Sequence, residues 1–132
     1  MLIPHLHFCG HCEEAIVLYE KAFNTKIDEI VRNHDYNSEK YPDDTQIAHA
    51  NMRIHGQTVF LNDNEFFGNK ENSSNFPVHL IVQFQTVEEL LSCYEMLKND
   101  REVSSPFVKA PYSDLVGNFA DKFGIWWGFM VA

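Results

Sequence analysis

Basic residues are scarce in this chain of 132 residues: ten lysines and arginines stand against nineteen acidic residues, for a formal charge of −9. A phosphate backbone is held by clustered Lys and Arg, and no such cluster occurs, so a nucleic-acid partner is not expected. Long apolar runs are missing too. None approaches the ~20 residues of a membrane span, and the first residues have neither the basic start nor the apolar centre of a signal peptide. Cysteine is represented only by Cys9, Cys12 and Cys93. Three are too few for a disulfide framework and leave one over. The expectation is a cytoplasmic protein with reduced thiols and no membrane partner.

What is present is apolar and periodic. Hydrophobic residues make up 45% and aromatics 14%, enough for a folded core rather than a disordered chain. After a short turn, Cys12, Ala15, Ile16, Tyr19, Ala22 and Phe23 recur at helical spacing, with Glu13, Glu14, Glu20 and Lys21 outside. Val87, Leu90, Leu91, Tyr94 and Leu97 do the same in a second expected helix, Thr86–Lys98, which Thr86 and Glu89 open as a capping box. Moved by about seventy-five positions, the apolar face of the first helix falls on that of the second. The acidic pairs Glu13-Glu14 and Glu88-Glu89 coincide as well, which points to an internal duplication.

Strand-like runs surround both helices. They are Leu2–Phe8, Lys26–Asn33, Gln46–Ile54 and Thr58–Asp63 in the first half. In the second half they are Val78–Phe84, Glu102–Phe107, Asp114–Ala120 and Ile125–Val131. Gly56 and Gly124 fall at matching turns before the last strand of each half. Asp35–Thr45 reads as a polar, mobile loop. The plan is βαβββ twice: an α+β domain over residues 1–132, with module 1 at 1–63, a linker at 64–75 and module 2 at 76–132.

Alternation assigns the faces of the strands. Leu2, Pro4, Leu6 and Phe8 share one side, as do Ala48, Ala50, Met52 and Ile54, and Val78, Leu80, Val82 and Phe84. The opposite sides gather His5, His7, His49, Asn51, Arg53, Phe60, His79, Gln83 and Trp126. A curved sheet, with its helices on the convex side, would make this mixed polar and aromatic face a concave pocket for a small organic ligand. Arg53 could then clamp an anionic group, and Trp126 could stack on a planar one.

Cys9-Gly10-His11-Cys12 opens a helix and offers a competing reading as a thiol–disulfide pair, since a helix N-terminus stabilises a thiolate. Too little chain precedes it for the strand and helix that a thioredoxin domain places before its motif. Glu13 and Glu14 oppose a thiolate, and Cys12 lies on the apolar helix face, where it packs as a small hydrophobe. The redox reading stays as an alternative.

The residues Pro4, Phe8 to Ala15 running into Leu18-Tyr19, Ile47 to Ala50, Leu61 to Asp63, Gly117 and Asp121 to Trp126 resemble the vicinal oxygen chelate superfamily of glyoxalases, bleomycin-resistance proteins and extradiol dioxygenases. They look closest to its PhnB-like branch. The resemblance covers nearly the whole chain and implies two βαβββ modules sharing a curved mixed sheet, as a homodimer. Metal-dependent members take ligands from the first and last strands of each module. The resemblance puts His5, or a residue next to it, and His79 at two of these positions. It puts Phe60 and Gly128, four residues past each turn glycine, at the positions where such members carry carboxylates. Two imidazoles make an incomplete set for a divalent ion, and His7 or His49 would have to complete it. The expected function is ligand binding without the complete metal site. The alternative is a metal-dependent lyase, isomerase or dioxygenase. A methyltransferase label, often attached to PhnB-like domains, finds no glycine-rich turn for a nucleotide methyl donor.

Overall fold

The opening alternation becomes a strand. In the computed structural model, which describes residues 1–66, 78–101 and 104–132, β1 (His5–Phe8) buries Leu6 and Phe8 and leaves His5 exposed and His7 half-buried. Gly10, at φ +85°, makes a turn that an L side chain would strain, and the chain enters α1 (Cys12–Ala22). The buried face of α1 is Cys12, Ala15, Ile16 and Tyr19, with the Tyr19 ring 6.3 Å from that of Phe8. There follow β2 (Ile27–Arg32), a short α2 (Asn33–Tyr36), β3 (Ile47–Ile54) and β4 (Gln57–Asp63). His55 and Gly56, both at positive φ, form the two-residue turn that suits the twist of a hairpin. The sheet runs β1-β4-β3-β2, with β1 and β4 parallel and the other pairs antiparallel.

The second half repeats the plan. β5 (Leu80–Phe84), α3 (Val87–Leu97), β6 (Val108–Ala110), β7 (Ser113–Ala120) and β8 (Trp126–Val131) form a sheet in the order β5-β8-β7-β6, again with one parallel pair, β5 and β8. Thr86 caps α3, its Oγ1 accepting from Glu89 N at 3.1 Å. Leu90, Cys93, Tyr94 and Leu97 are the buried face of α3, with Tyr94 4.9 Å from the rings of both Phe107 and Phe119. The fold is α+β, two βαβββ modules with identical strand order. The chain divides into two compact units, Met1–Lys70 and Glu71–Ala132. The expected linker, 64–75, lies outside the described residues from position 67 onward.

Polar pins hold each unit in register. Asp63, at the end of β4, accepts through Oδ1 from the backbone N–H of Gly10 (2.8 Å) and Cys12 (3.0 Å), and through Oδ2 from that of Ile47 (3.0 Å). One carboxylate thereby ties the start of α1 and the start of β3 to the end of β4. It also supplies the negative charge that a helix N-terminus favours. In the second unit Asp121, 2% exposed, accepts from Phe123 N, Ile125 N and the Trp127 indole at 2.8, 3.0 and 2.9 Å. Ser113 bridges to Val131 across β7 and β8.

Several expectations shift for local reasons. Leu2, 92% exposed, lies before β1 and not on its apolar side. The pairing of β2 and β3 slips between Val31 and Arg32, and this bulge puts Ile47 in the core while Ala48 is only half-buried. The strand expected at Glu102–Phe107 lies instead at Val108–Ala110; residues 102–103 are outside the described residues. Pro106 has no N–H for a ladder, and its carbonyl approaches Gly117 so closely that a Cβ there would stand 2.5 Å away. Leu91, grouped with the apolar helix face, is 40% exposed, and Cys93 takes the buried position. The loop expected at Asp35–Thr45 overlaps α2 and is tied down, with Asn33 N donating to Gln46 O at 2.8 Å and Asn33 Nδ2 to Asp44 Oδ2 at 3.0 Å.

Asp63→Ala removes three charge-assisted hydrogen bonds at once and leaves their donors without the carboxylate. The expected cost is about 2–4 kcal/mol, read as a lower urea midpoint with an unchanged slope. A midpoint shift worth under about 0.5 kcal/mol would show that the three N–H groups are satisfied without it.

Candidate functional site

Alternation in the first unit turns His5, His7, His49 and Phe60 toward one face of the sheet. His5 is the Cα partner of Phe60 across β1 and β4, and Asn51 is the partner of Phe60 across β3 and β4. The His5 and His7 rings are 4.3 Å apart. Phe60 stands nearly perpendicular to His5 at 6.0 Å and to His49 at 4.8 Å. His7 donates from Nδ1 to Asn62 Oδ1 at 2.7 Å. Glu29, on β2, lies 3.7 Å from His49 Nε2 and accepts from Asn51 Nδ2 at 3.4 Å. Arg53 pairs with Asp28, Nε to Oδ2 at 3.6 Å.

The result is an imidazole cluster around one phenyl ring, with a carboxylate at its side. Partial burial, then the nearby imidazoles of His7 and His49, hold the His5 pKa below its usual value. A neutral imidazole both accepts and donates one hydrogen bond, so the cluster can bind polar groups or carry a proton. Arg53, expected as an anion clamp, is already engaged by Asp28.

The second unit offers a different surface. His79 stacks on Trp126, 5.4 Å apart and 14° from parallel. Gln83 Nε2 reaches Met130 Sδ at 3.8 Å. Ile81, 62% exposed, lies over Gly128: a Cβ on Gly128 would run into its Cδ1 and come within 2.9 Å of Asn118 Oδ1. Register adds a distinction. Ile81 is the partner of Gly128 as His5 is the partner of Phe60, so through these pairs the counterpart of His5 is Ile81, and His79 stands two residues earlier.

A divalent ion of the kind the family resemblance implies does not fit the donors described here. Phe60 and Gly128 stand where carboxylates are called for, one a phenyl ring packed by two imidazoles and the other overlaid by Ile81. Among the described residues no group of three or more His, Cys, Asp or Glu side chains could hold a metal ion.

The Cys-Gly-His-Cys segment is equally unsuited to thiol exchange. Cys12 is fully buried; desolvation first, then the charges of Asp63 and Glu13, push its thiol pKa far up, the opposite of an attacking thiolate. Burial likewise pushes the Cys93 thiol up to about 12. Cys9 is half-buried, and all three thiols are free.

Sequence reasoning missed Glu29 and Asn62 as members of the cluster. The β2 run Ile-Asp-Glu-Ile-Val-Arg does not alternate cleanly, and its pairing with β3 slips at two places. Asn62 carried a signal: it alternates in phase with Phe60 along β4.

Two measurements check this geometry. A histidine whose pKa is lower folded than unfolded resists protonation in the folded chain. Its penalty is absent well above the ordinary value of 6.5 and grows as pH falls below it toward the depressed value. His5→Gln removes that penalty, so its urea midpoint should fall less than that of the parent chain between about pH 7 and pH 5; parallel curves would contradict the cluster. Ellman's reagent should modify Cys9 in the native chain and reach Cys12 and Cys93 only after unfolding. Rapid native modification of Cys12 would contradict its burial.

Residues 2–129 match the Glyoxalase/Bleomycin resistance protein/Dioxygenase superfamily. Protein YjdN of Escherichia coli (strain K12) is 28% identical over 137 residues, which cover 96% of this chain and 91% of YjdN. Among solved structures, a PhnB protein from Bacillus cereus matches with a TM-score of 0.78 and 26% identity, over 99% of this chain and 98% of that one. Protein PA1353 from Pseudomonas aeruginosa shares the fold with a TM-score of 0.79 at 20% identity, over 99% and 96% of the two chains. With its duplicated βαβββ topology and this match over residues 2–129, the chain belongs to the glyoxalase/bleomycin resistance protein/dioxygenase superfamily.

Proposed function

We propose that this protein binds a small organic ligand on the polar and aromatic face of its sheets, with no divalent ion resident among the binding residues. The observation that carries the reading is Phe60. It occupies the position where a metal-dependent relative needs a carboxylate, and it packs against His5 and His49. A phenyl ring bordered by imidazoles suits contact with organic surface and directional hydrogen bonds. The ligand-binding set is His5, His7, His49, Asn51, Arg53 and Phe60 in the first unit, with His79, Gln83 and Trp126 in the second. A curved sheet would make that face concave, with the helices on the convex side. The chain acts as one two-module domain, in the cytoplasm and as a homodimer.

The competing readings have less support among the described residues. A metal-dependent lyase, isomerase or dioxygenase needs at least three protein donors around its ion, and the expected positions hold Phe60 and Gly128. A thiol–disulfide protein needs an accessible low-pKa thiol, and Cys12 is buried with its pKa raised.

Native mass spectrometry of untagged protein, purified without chelator, tests the ion and the assembly together. The expected species has twice the 15.3 kDa chain mass and carries no stoichiometric divalent ion, with the same result for His79→Ala. One ion per chain that disappears in His79→Ala would overturn the metal-free reading, and a monomer at micromolar concentration would overturn the homodimer.

A further inference from the structure

The imidazole face of the first unit sets an exposed carboxylate near an apolar ring. His7 donates its Nδ1 hydrogen to Asn62 Oδ1. The Glu29 carboxylate lies 3.7 Å from His49 Nε2, close enough for charge attraction but longer than a hydrogen bond. Glu29 itself is exposed and adds a full negative charge beside Asn51. Arg53, the cation of β3 on this face, is directed to Asp28. Phe60 supplies an apolar wall between His5 and His49.

We propose that this face takes a small ligand bearing a protonated amine on an aromatic or short apolar body. Glu29 holds the amine, and Phe60 packs against the body. An ammonium group donates up to three hydrogen bonds and accepts none, which suits the Glu29 carboxylate. A cation near the Phe60 ring gains further from the ring quadrupole. The chain charge of −9 raises the local concentration of cations and lowers that of anions. An anion of the same size would face Glu29, and Arg53 already has the Asp28 carboxylate beside it. The inference rests on the reading that this face binds a ligand, and adds the sign of the ligand's charge and the residues that select it.

Histidine-selective NMR of the full chain at pH 8, with benzylamine and phenylacetate as probes, tests it. Benzylamine should shift the ring signals of His49 and His5 saturably, and phenylacetate should bind at least about tenfold more weakly. Glu29→Gln should weaken benzylamine about tenfold, and Glu29→Asp, which keeps the charge, should restore most of the affinity. Phenylacetate binding as tightly as benzylamine, or Glu29→Gln leaving benzylamine unaffected in a variant with native-like signal dispersion, would overturn the inference. If benzylamine leaves His5 and His49 unmoved while a neutral or anionic compound shifts them, the amine inference fails and the ligand-binding face stands. If those signals respond to no member of a broad small-molecule set, both fail.

Discussion

The Asp63 carboxylate is the constraint on which the first unit depends. Three backbone N–H groups from two separate parts of the chain, Gly10 and Cys12 at the start of α1 and Ile47 at the start of β3, converge on its two oxygens. Because Asp63 ends β4, the contact locks the start of α1 and the start of β3 to the strand that carries Phe60 and Asn62. The partners of those two residues follow from that lock: His5 and His7 on β1, Asn51 on β3. A helix N-terminus of this kind could have cradled an external anion, but here an internal side chain fills the position. The cysteines beside it are thereby part of the architecture, with Cys12 sealed under the helix.

The second unit reaches the same topology with different pins. Thr86 caps α3, Asp121 organises the turn before β8, and Ser113 joins β7 to β8. The backbone plan is duplicated but the outward chemistry is not. One sheet presents imidazoles, amides and a carboxylate. The other presents a His79–Trp126 stack, Ile81 and the Met130 thioether. Duplication explains the shared fold, and the differences between the two faces carry the functional argument.

Much of this was legible in the sequence because period and burial are coupled. Alternation in β1, in β4 and in β3 from His49 onward put His5, His7, His49 and Phe60 on one side, and helical spacing identified Cys12, Tyr19, Leu90 and Tyr94 as core. Where the period breaks, the reading failed. The bulges of β2 hid Glu29, the slip opposite Arg32 exchanged Ala48 for Ile47, and Pro106 moved a strand to Val108. Register across strands is a tertiary property with no local sign, so the pairing of Ile81 with Gly128, and the displacement of His79 from the counterpart of His5, required the structure. The pairing of Arg53 with Asp28 belongs to the same class, since a salt bridge between neighbouring strands cannot be read from either strand alone.

The central claim is that a phenyl-centred imidazole cluster, and not a metal ion, defines the binding face. A crystal structure of untagged protein grown without chelator, soaked with a fractionated small-molecule extract and measured for anomalous scattering, addresses it most directly. The account predicts organic density against Phe60 within hydrogen-bond reach of His5 or His49, and no anomalous peak there. An anomalous peak at coordination distance from His5 or His79, with the ligand bound through it, would contradict the account.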